Sequence, residues 1–469
     1  MRSLLALLFL IISNSIYGQS VQQKLASSTK QLESDPQMRH AILGLFVLET
    51  KTGKTVYDYH AQIGLAAAST QKLFTSVLAF ELLGKEYRYK TALSHDGKVE
   101  NGILKGNLFI TGSGDPSFGS WRWTDTKSES ILSTIIAKLR QKNISRIEGN
   151  VYFCESGFSI QPLPDGWIWQ DIGNYYGAGS WGINWHENQY DLILSSGSKV
   201  GDTVKILKTD PAIDNRLLTN HILSGEKGSG DNAYIYWPPY SDRGFANGSI
   251  PIGEKSFSIS GAFPYPAMQF KNELELQLKR SGITVKGDYK TWYQKIQNGE
   301  QWPIAITNLH EFLSPTLDSI NYWFLRKSIN IYGEALIKTI ALKEKAFGDT
   351  QKGITVLKDF WLKQGIESSA IQIIDGSGLS PQNRVTAWSE VKVLQYAKNR
   401  PWFASFFNAL PLYNGMKMKS GSIGGARAFA GYHTSKTGVE YCFSIIVNNY
   451  DGSSVEMVKK LYKILDELK

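Results

Sequence analysis

Cysteine is almost absent from this chain of 469 residues: only Cys154 and Cys442 occur. Two cysteines so far apart exclude a disulfide framework, and their apolar surroundings, Val151 and Phe153 before one and the alternation Val439 to Val447 around the other, mark both as small buried residues. Long hydrophobic runs are missing too. The longest, Leu4 to Ile12, has nine residues, whereas a membrane-spanning helix needs about 20. Charge of one sign never accumulates: 51 Lys plus Arg against 42 Asp plus Glu leave +9 without a block of five like charges, so no nucleic-acid partner is expected. The seven histidines show neither H-E-x-x-H nor any paired ligand spacing, and no metal or cofactor is expected. A G-x-S-x-G elbow is also lacking, which removes the α/β-hydrolase solution for a serine enzyme.

What is present suits a soluble globular protein, with 42% apolar and 12% aromatic residues. At roughly 150 residues per domain the length suggests about three domains. Arg2, the apolar run and the small or polar residues Ser13, Ser15 and Gly18 read as a secretory signal over residues 1–18, so a periplasmic or secreted location is expected. The basic excess fits work near an anionic cell wall, although a solvated surface explains it as well.

Along the chain, a polar helix from Val21 to Glu33 precedes a hairpin, Ala41 to Glu49 and Thr55 to His60, and then a buried helix beginning at Ser69 or Thr70. From about Tyr87 to Gln301 the chain is rich in strands and turns and reads as an insertion, with Gly112 to Asp115 a turn and not a phosphate loop. Helical periodicity returns at Leu317 to Ala341, Thr355 to Gln364 and Thr386 to Lys398. Three strands follow, Met416 to Ser422, Ala428 to His433 and Val439 to Asn449, and then an amphipathic helix whose apolar face is Val455, Val458, Leu461, Leu465 and Leu468. Both chain ends together predict a five-stranded antiparallel sheet flanked by helices, an α/β (α+β) domain built from residues 19–85 and 303–469 around an inserted region, 86–302.

Ser69-Thr70-Gln71-Lys72 supplies S-x-x-K at the start of an apolar helix. Three positions make nearly one helical turn, so the Lys72 amine lies beside the Ser69 hydroxyl, and desolvation can keep it neutral enough to accept a proton. The same pattern at Ser27, Ser196, Ser224 and Ser389 lacks this context. Such a serine requires S-x-N and K-[TS]-G triads in chain order. Ser328-Ile329-Asn330 and Lys419-Ser420-Gly421-Ser422 meet that need, the second providing a cation, a hydroxyl, a glycine for close substrate approach and a further backbone N–H. Ser319-Ile320-Asn321 is a competing S-x-N. Lys51 to Gly53 and Lys436 to Gly438 are literal K-T-G triads in hairpin turns.

The sequence resembles the D-alanyl-D-alanine carboxypeptidase/endopeptidases among class C low-molecular-mass penicillin-binding proteins, which carry a large insertion after the nucleophile helix. The resemblance spans nearly the whole chain after residue 18. It rests on A-S-T-x-K-L at Ala68 to Leu73, L-x-G-x-L-x-x-x-G-x-G-D-P at Leu104 to Pro116 and G-W-x-W-x-D-x-x-x-x-Y-G-A at Gly166 to Ala178. S-P-x-L at Ser314 to Leu317, S-x-N-x-Y-x-E at Ser328 to Glu334, D-G-S-G-L-S at Asp375 to Ser380, K-S-G-S at Lys419 to Ser422 and A-G-Y at Ala430 to Tyr432 continue it. The Y-x-E extension selects Ser328 over Ser319.

The resemblance implies a penicilloyl-serine transferase, or β-lactamase-like, domain with two smaller, mainly β inserted domains. It implies Ser69 as nucleophile toward peptidoglycan stem peptides, Lys72 as base, and an oxyanion hole from the N–H groups of Ser69 and Ser422. Ser328 would relay the proton, Asn330 would orient Lys72, and Lys419 and Ser420 would receive the terminal carboxylate, Lys419 also favouring neutral Lys72. β-Lactam antibiotics would be covalent inhibitors, and a peripheral association with membrane or wall is compatible with this family. Asp171 and Tyr176 match positions bordering the cleft. Ile329 and Ser420 replace the commoner Asp and Thr, and Pro381 stands where relatives often carry a basic residue. Two other readings are a β-lactamase and a non-catalytic wall-binding scaffold. The pairs Trp121/Trp123 and Trp167/Trp169 read as core residues of one strand face.

Overall fold

The computed structural model describes residues 19–213 and 217–469; the expected secretory signal lies outside them. The central sheet is antiparallel throughout, in the order Thr55–Tyr59, Ile42–Glu49, Glu440–Asn448, Ala426–Thr434, Met416–Ile423 and Leu412–Tyr413. The five expected strands are therefore joined by a sixth of two residues. It was not legible because Leu412 and Tyr413 add only an edge bridge to Lys417 and Met416.

The two inner strands read as unbroken apolar runs because both faces of the sheet are covered. Phe46, Leu48, Cys442 and Ile446 point to a core shared with the helices Lys72–Leu82, Leu317–Arg326, Asn330–Lys345 and Ala387–Lys398. Leu43, Leu45, Val47, Phe443 and Ile445 point to a second core closed by Val21–Glu33 and Ser454–Asp466. On the last helix, Met457, Leu461, Ile464 and Leu465 are the buried residues, whereas Val455 is 64% exposed. The expected face was thus rotated: a helix advances 100° per residue, and Met457 and Ile464 complete the stripe that Val455 was taken to begin. This face packs on the sheet. No helix among the described residues is long and apolar enough to cross a membrane.

Between the two parts lies a mixed sheet, ordered Tyr289–Thr291, Val151–Cys154, Leu108–Thr111, Lys90–His95 and Thr307–Leu313. The helices Ser128–Gln141 and Pro266–Arg280 share its core through Ile131, Ile135, Leu139, Phe270, Leu274 and Leu278. Two helices thus join the strands of this part, while the expectation of a mainly β insertion holds for the region as a whole. It is met by the two three-stranded sheets that fall between Gln189 and Ala262 around their own core. Thr307–Leu313 pairs with Lys90–His95, so the segment from 303 begins in the inserted sheet and rejoins the first core only at Leu317.

None of the four tryptophans lies on a strand. Trp121 and Trp169 are each 48% exposed. Trp123 donates its Nε1–H to Ser319 Oγ (2.9 Å), and Trp167 donates to Asp375 Oδ2 (2.9 Å). Both cysteines are reduced, Cys442 buried and Cys154 half-buried. Burial pushes the Cys154 thiol up to about 12 and that of Cys442 to about 11.

Candidate active site

Ser69 sits in a 3-10 turn, Ala68–Gln71, that leads into the helix Lys72–Leu82. Leu73, Phe74, Val77 and Leu78 anchor this helix fully buried in the first core, and the stem of Lys72 is carried inward with them. Ala68 holds φ +50 and Ser328 φ +59, left-handed conformations that cost a non-glycine residue about 1–2 kcal/mol each. Both flank the site, one just before the nucleophile and one at the bend before Asn330, and such outliers persist where surrounding structure enforces them.

Lys72 is fully buried. Its Nζ donates to Ser69 Oγ (2.9 Å), Asn330 Oδ1 (2.6 Å) and the Ser377 carbonyl (2.6 Å). These acceptors use all the protons of an ammonium, and loss of one leaves a lone pair among them. Burial lowers Lys72 to about 7, against the opposing pull of Asp375 and Glu334. Desolvation is the leading cause, and Lys419, itself buried, is lowered by desolvation first and by the charge of Lys72 second.

Asn330 opens the helix Asn330–Lys345, and its Nδ2 donates to the Tyr176 carbonyl (2.7 Å). Lys419 lies on Met416–Ile423 with its Nζ donating to the Ser420 carbonyl (2.7 Å). On the same strand Gly421 serves a contact that the sequence did not suggest. A Cβ there would lie 2.1 Å from the Ala67 carbonyl oxygen, so the glycine admits the backbone before the nucleophile. Ser69, Ser328, Asn330 and Ser422 line one cleft of about 660 Å³ with Asp171, Tyr176, Tyr234, Leu379 and Pro381. Burial raises Asp171, and the neighbouring Tyr176 opposes that rise.

The segment Asp375 to Ser380, whose motif carried no assigned role, proves central. Asp375 accepts from Gln71 Nε2 (3.0 Å), Gly378 N (2.7 Å) and Asn383 Nδ2 (3.0 Å) on Oδ1, and from Trp167 Nε1 and Ser380 N on Oδ2. Thr75 donates to the Gly376 carbonyl (2.7 Å) and Gly376 N donates to Glu334 Oε2 (3.0 Å). The loop is thereby fixed with the Ser377 carbonyl toward Lys72. Glu334 is fully buried, and burial raises it to about 8.

The competing motifs have structural places. Asn321 is buried and accepts from Ser76 Oγ (2.6 Å), while Ser319 receives Trp123. Ser389 is buried in the cap of its helix, and both K-T-G triads sit in exposed turns. Among the described residues no three His, Cys, Asp or Glu side chains are grouped to hold a metal ion.

Residues 22–467 match the D-Ala-D-Ala carboxypeptidase 3 (S13) family. The D-alanyl-D-alanine carboxypeptidase of Actinomadura sp. (strain R39) is 25% identical over 452 residues, covering 89% of this chain and 80% of that protein. The D-alanyl-D-alanine carboxypeptidase DacB of Haemophilus influenzae is 26% identical over 438 residues, covering 89% and 88%. In structure, penicillin binding protein 4 (dacB) of Haemophilus influenzae superposes with a TM-score of 0.78 at 22% identity, over 95% of this chain and 97% of that one, which establishes a common fold. This chain belongs to the D-Ala-D-Ala carboxypeptidase 3 (S13) family.

Proposed function

We propose that Ser69 is the nucleophile of a serine D-Ala-D-Ala carboxypeptidase acting outside the cytoplasm on peptidoglycan stem peptides, and on D-alanyl-diaminopimelyl cross-links as an endopeptidase. The observation that carries this reading is the fully buried Lys72 Nζ held 2.9 Å from Ser69 Oγ. An amine lowered to about 7 accepts the Ser69 proton near neutral pH, which makes the hydroxyl a nucleophile without a histidine.

Ser69 Oγ attacks the carbonyl between the two terminal D-alanines, and the developing oxyanion is met by the N–H groups of Ser69 and Ser422. Asn330 keeps Lys72 aimed at Ser69. Ser328 passes the proton from Lys72 to the leaving D-alanine nitrogen, completing acylation. Lys419 and Ser420 receive the terminal carboxylate, whose negative charge offsets the desolvation of Lys419. Water then releases the shortened peptide. Asp171 and Tyr176 face the stem-peptide side chain from the opposite wall.

A β-lactam presents the same carbonyl and forms the same acyl-serine; penicillin binding protein 4 of Haemophilus influenzae has a structure in complex with a novel β-lactam. Neither the β-lactamase nor the scaffold reading is favoured, since the family match is to carboxypeptidases and the site retains every side chain that acylation uses. The test is D-alanine release from a stem pentapeptide by the wild type and Ser69→Ala. Release by the wild type alone supports the proposal, and release by both removes Ser69 from the reaction.

A further inference from the structure

The reaction described above makes no use of Lys338, yet few side chains are more constrained. It lies in the interior of Asn330–Lys345 and is fully buried. Its Nζ donates to two backbone carbonyls, Gln161 (2.7 Å) and Ser180 (2.7 Å). Those two residues are the ends of a strap that leaves the inserted region, passes over the cleft with Asp171 and Tyr176, and returns. Ser180 N also donates to the Pro162 carbonyl (3.1 Å), so the base of the strap is closed at a single point. Along its length the strap is tied further: Trp167 donates to Asp375, the Gly166 carbonyl accepts from Ser380 Oγ (2.8 Å), the Gly173 carbonyl accepts from Ala262 N (2.9 Å), Asn174 Oδ1 accepts from Ile235 N (3.0 Å), and the Tyr176 carbonyl accepts from Asn330.

A buried ammonium requires good reason, because taking its charge out of water is costly. Burial lowers Lys338 to about 8, while Glu334 on its own helix, Asp349 at the cap of Thr350–Lys363 and Glu155 after Val151–Cys154 pull it back up. Charge-assisted bonds to carbonyls are stronger than neutral ones and leave both acceptors fixed. Asn330 and Lys338 belong to one helix, about 80° apart around its axis, so the helix that orients Lys72 also holds the ends of the substrate-side wall.

We propose that Lys338 is a positioning residue that pins both ends of the strap Gln161–Ser180 and thereby places Asp171 and Tyr176 for the stem-peptide side chain. The proposal rests on the carboxypeptidase reading for its substrate. Its structural half stands separately.

The experiment pairs two readouts on Lys338→Met, a substitution of similar shape without the donors. Amide hydrogen exchange across the strap should quicken about tenfold while the sheet Met416–Ile423 keeps its protection. KM for D-alanine release from a stem pentapeptide should rise about tenfold, whereas acylation by benzylpenicillin, which engages Ser69 without a stem-peptide side chain, should change less than about threefold. Should the Met variant fail to fold, Lys338→Gln keeps amide donors on a side chain one atom shorter, and KM should rise at least about threefold. Unchanged strap exchange, or an equal loss in both reactions, overturns the proposal. Exchange needs no substrate, so absence of D-alanine release in the wild type defeats the carboxypeptidase reading without deciding the role of Lys338.

Discussion

Gly421 and Ala67 touch backbone to backbone: a Cβ on the glycine would lie 2.1 Å from the alanine carbonyl oxygen and 3.1 Å from Thr70 N. The strand that carries Lys419 to Ser422 and the turn that carries Ser69 are therefore held at a spacing that only glycine allows. Gly421→Ala should separate them, displacing Ser422 N from the nucleophile. Loss of one oxyanion donor costs about 10²–10³ in rate, and acylation by labelled penicillin should fall by that order while circular dichroism shows a folded protein.

The pH dependence follows from Lys72. Only its neutral form accepts the Ser69 proton, and burial lowers it to about 7. Acylation should therefore rise with pH through about 7, where a solvated lysine would place the rise above about 10. Stopped-flow acylation by a chromogenic β-lactam across pH 5 to 9 reads this directly. A limb absent from that range contradicts the role of Lys72 as base.

The two S-x-N motifs should separate by phenotype. Asn321 is buried and bonded to Ser76, so Asn321→Ala leaves a buried hydroxyl without its acceptor and should cost about 1–3 kcal/mol in urea unfolding with activity kept in the folded fraction. Asn330→Ala should do the reverse, cutting kcat/KM at least about tenfold with a smaller effect on the unfolding midpoint.

How much of this was legible in the sequence differs by residue. Ser69 and Lys72 were readable because their spacing is fixed by helix geometry and the helix that follows is largely apolar, with Leu73, Phe74, Val77, Leu78 and Phe80. The Ser377 carbonyl was not, since a backbone acceptor leaves no side-chain signature. Its support by Asp375, Thr75 and Glu334 joins residues distant in the chain. The helix Ser128–Gln141 was hidden in a region judged by its turns, although Ile131, Ile135 and Leu139 repeat at four-residue spacing. Trp121 and Trp169 were misread as core because i, i+2 spacing implies one face only if a strand is present. The close approach of Gly421 to Ala67 was not legible, because it joins residues distant in the chain.

The cysteines give a further expectation. Both are reduced, and burial raises both thiols well above the physiological range. Native protein should react slowly with a thiol reagent, and a reducing agent should leave activity and the melting temperature unchanged. A shift in either would reveal a disulfide that the structure does not contain.

The most direct test of the account is intact and peptide mass spectrometry after exposure to labelled penicillin, run beside a D-alanine assay. The account expects one stable adduct on the peptide containing Ser69, none in Ser69→Ala, and D-alanine released from a stem pentapeptide by the wild type alone. An adduct on another serine, or undiminished labelling of Ser69→Ala, would contradict it.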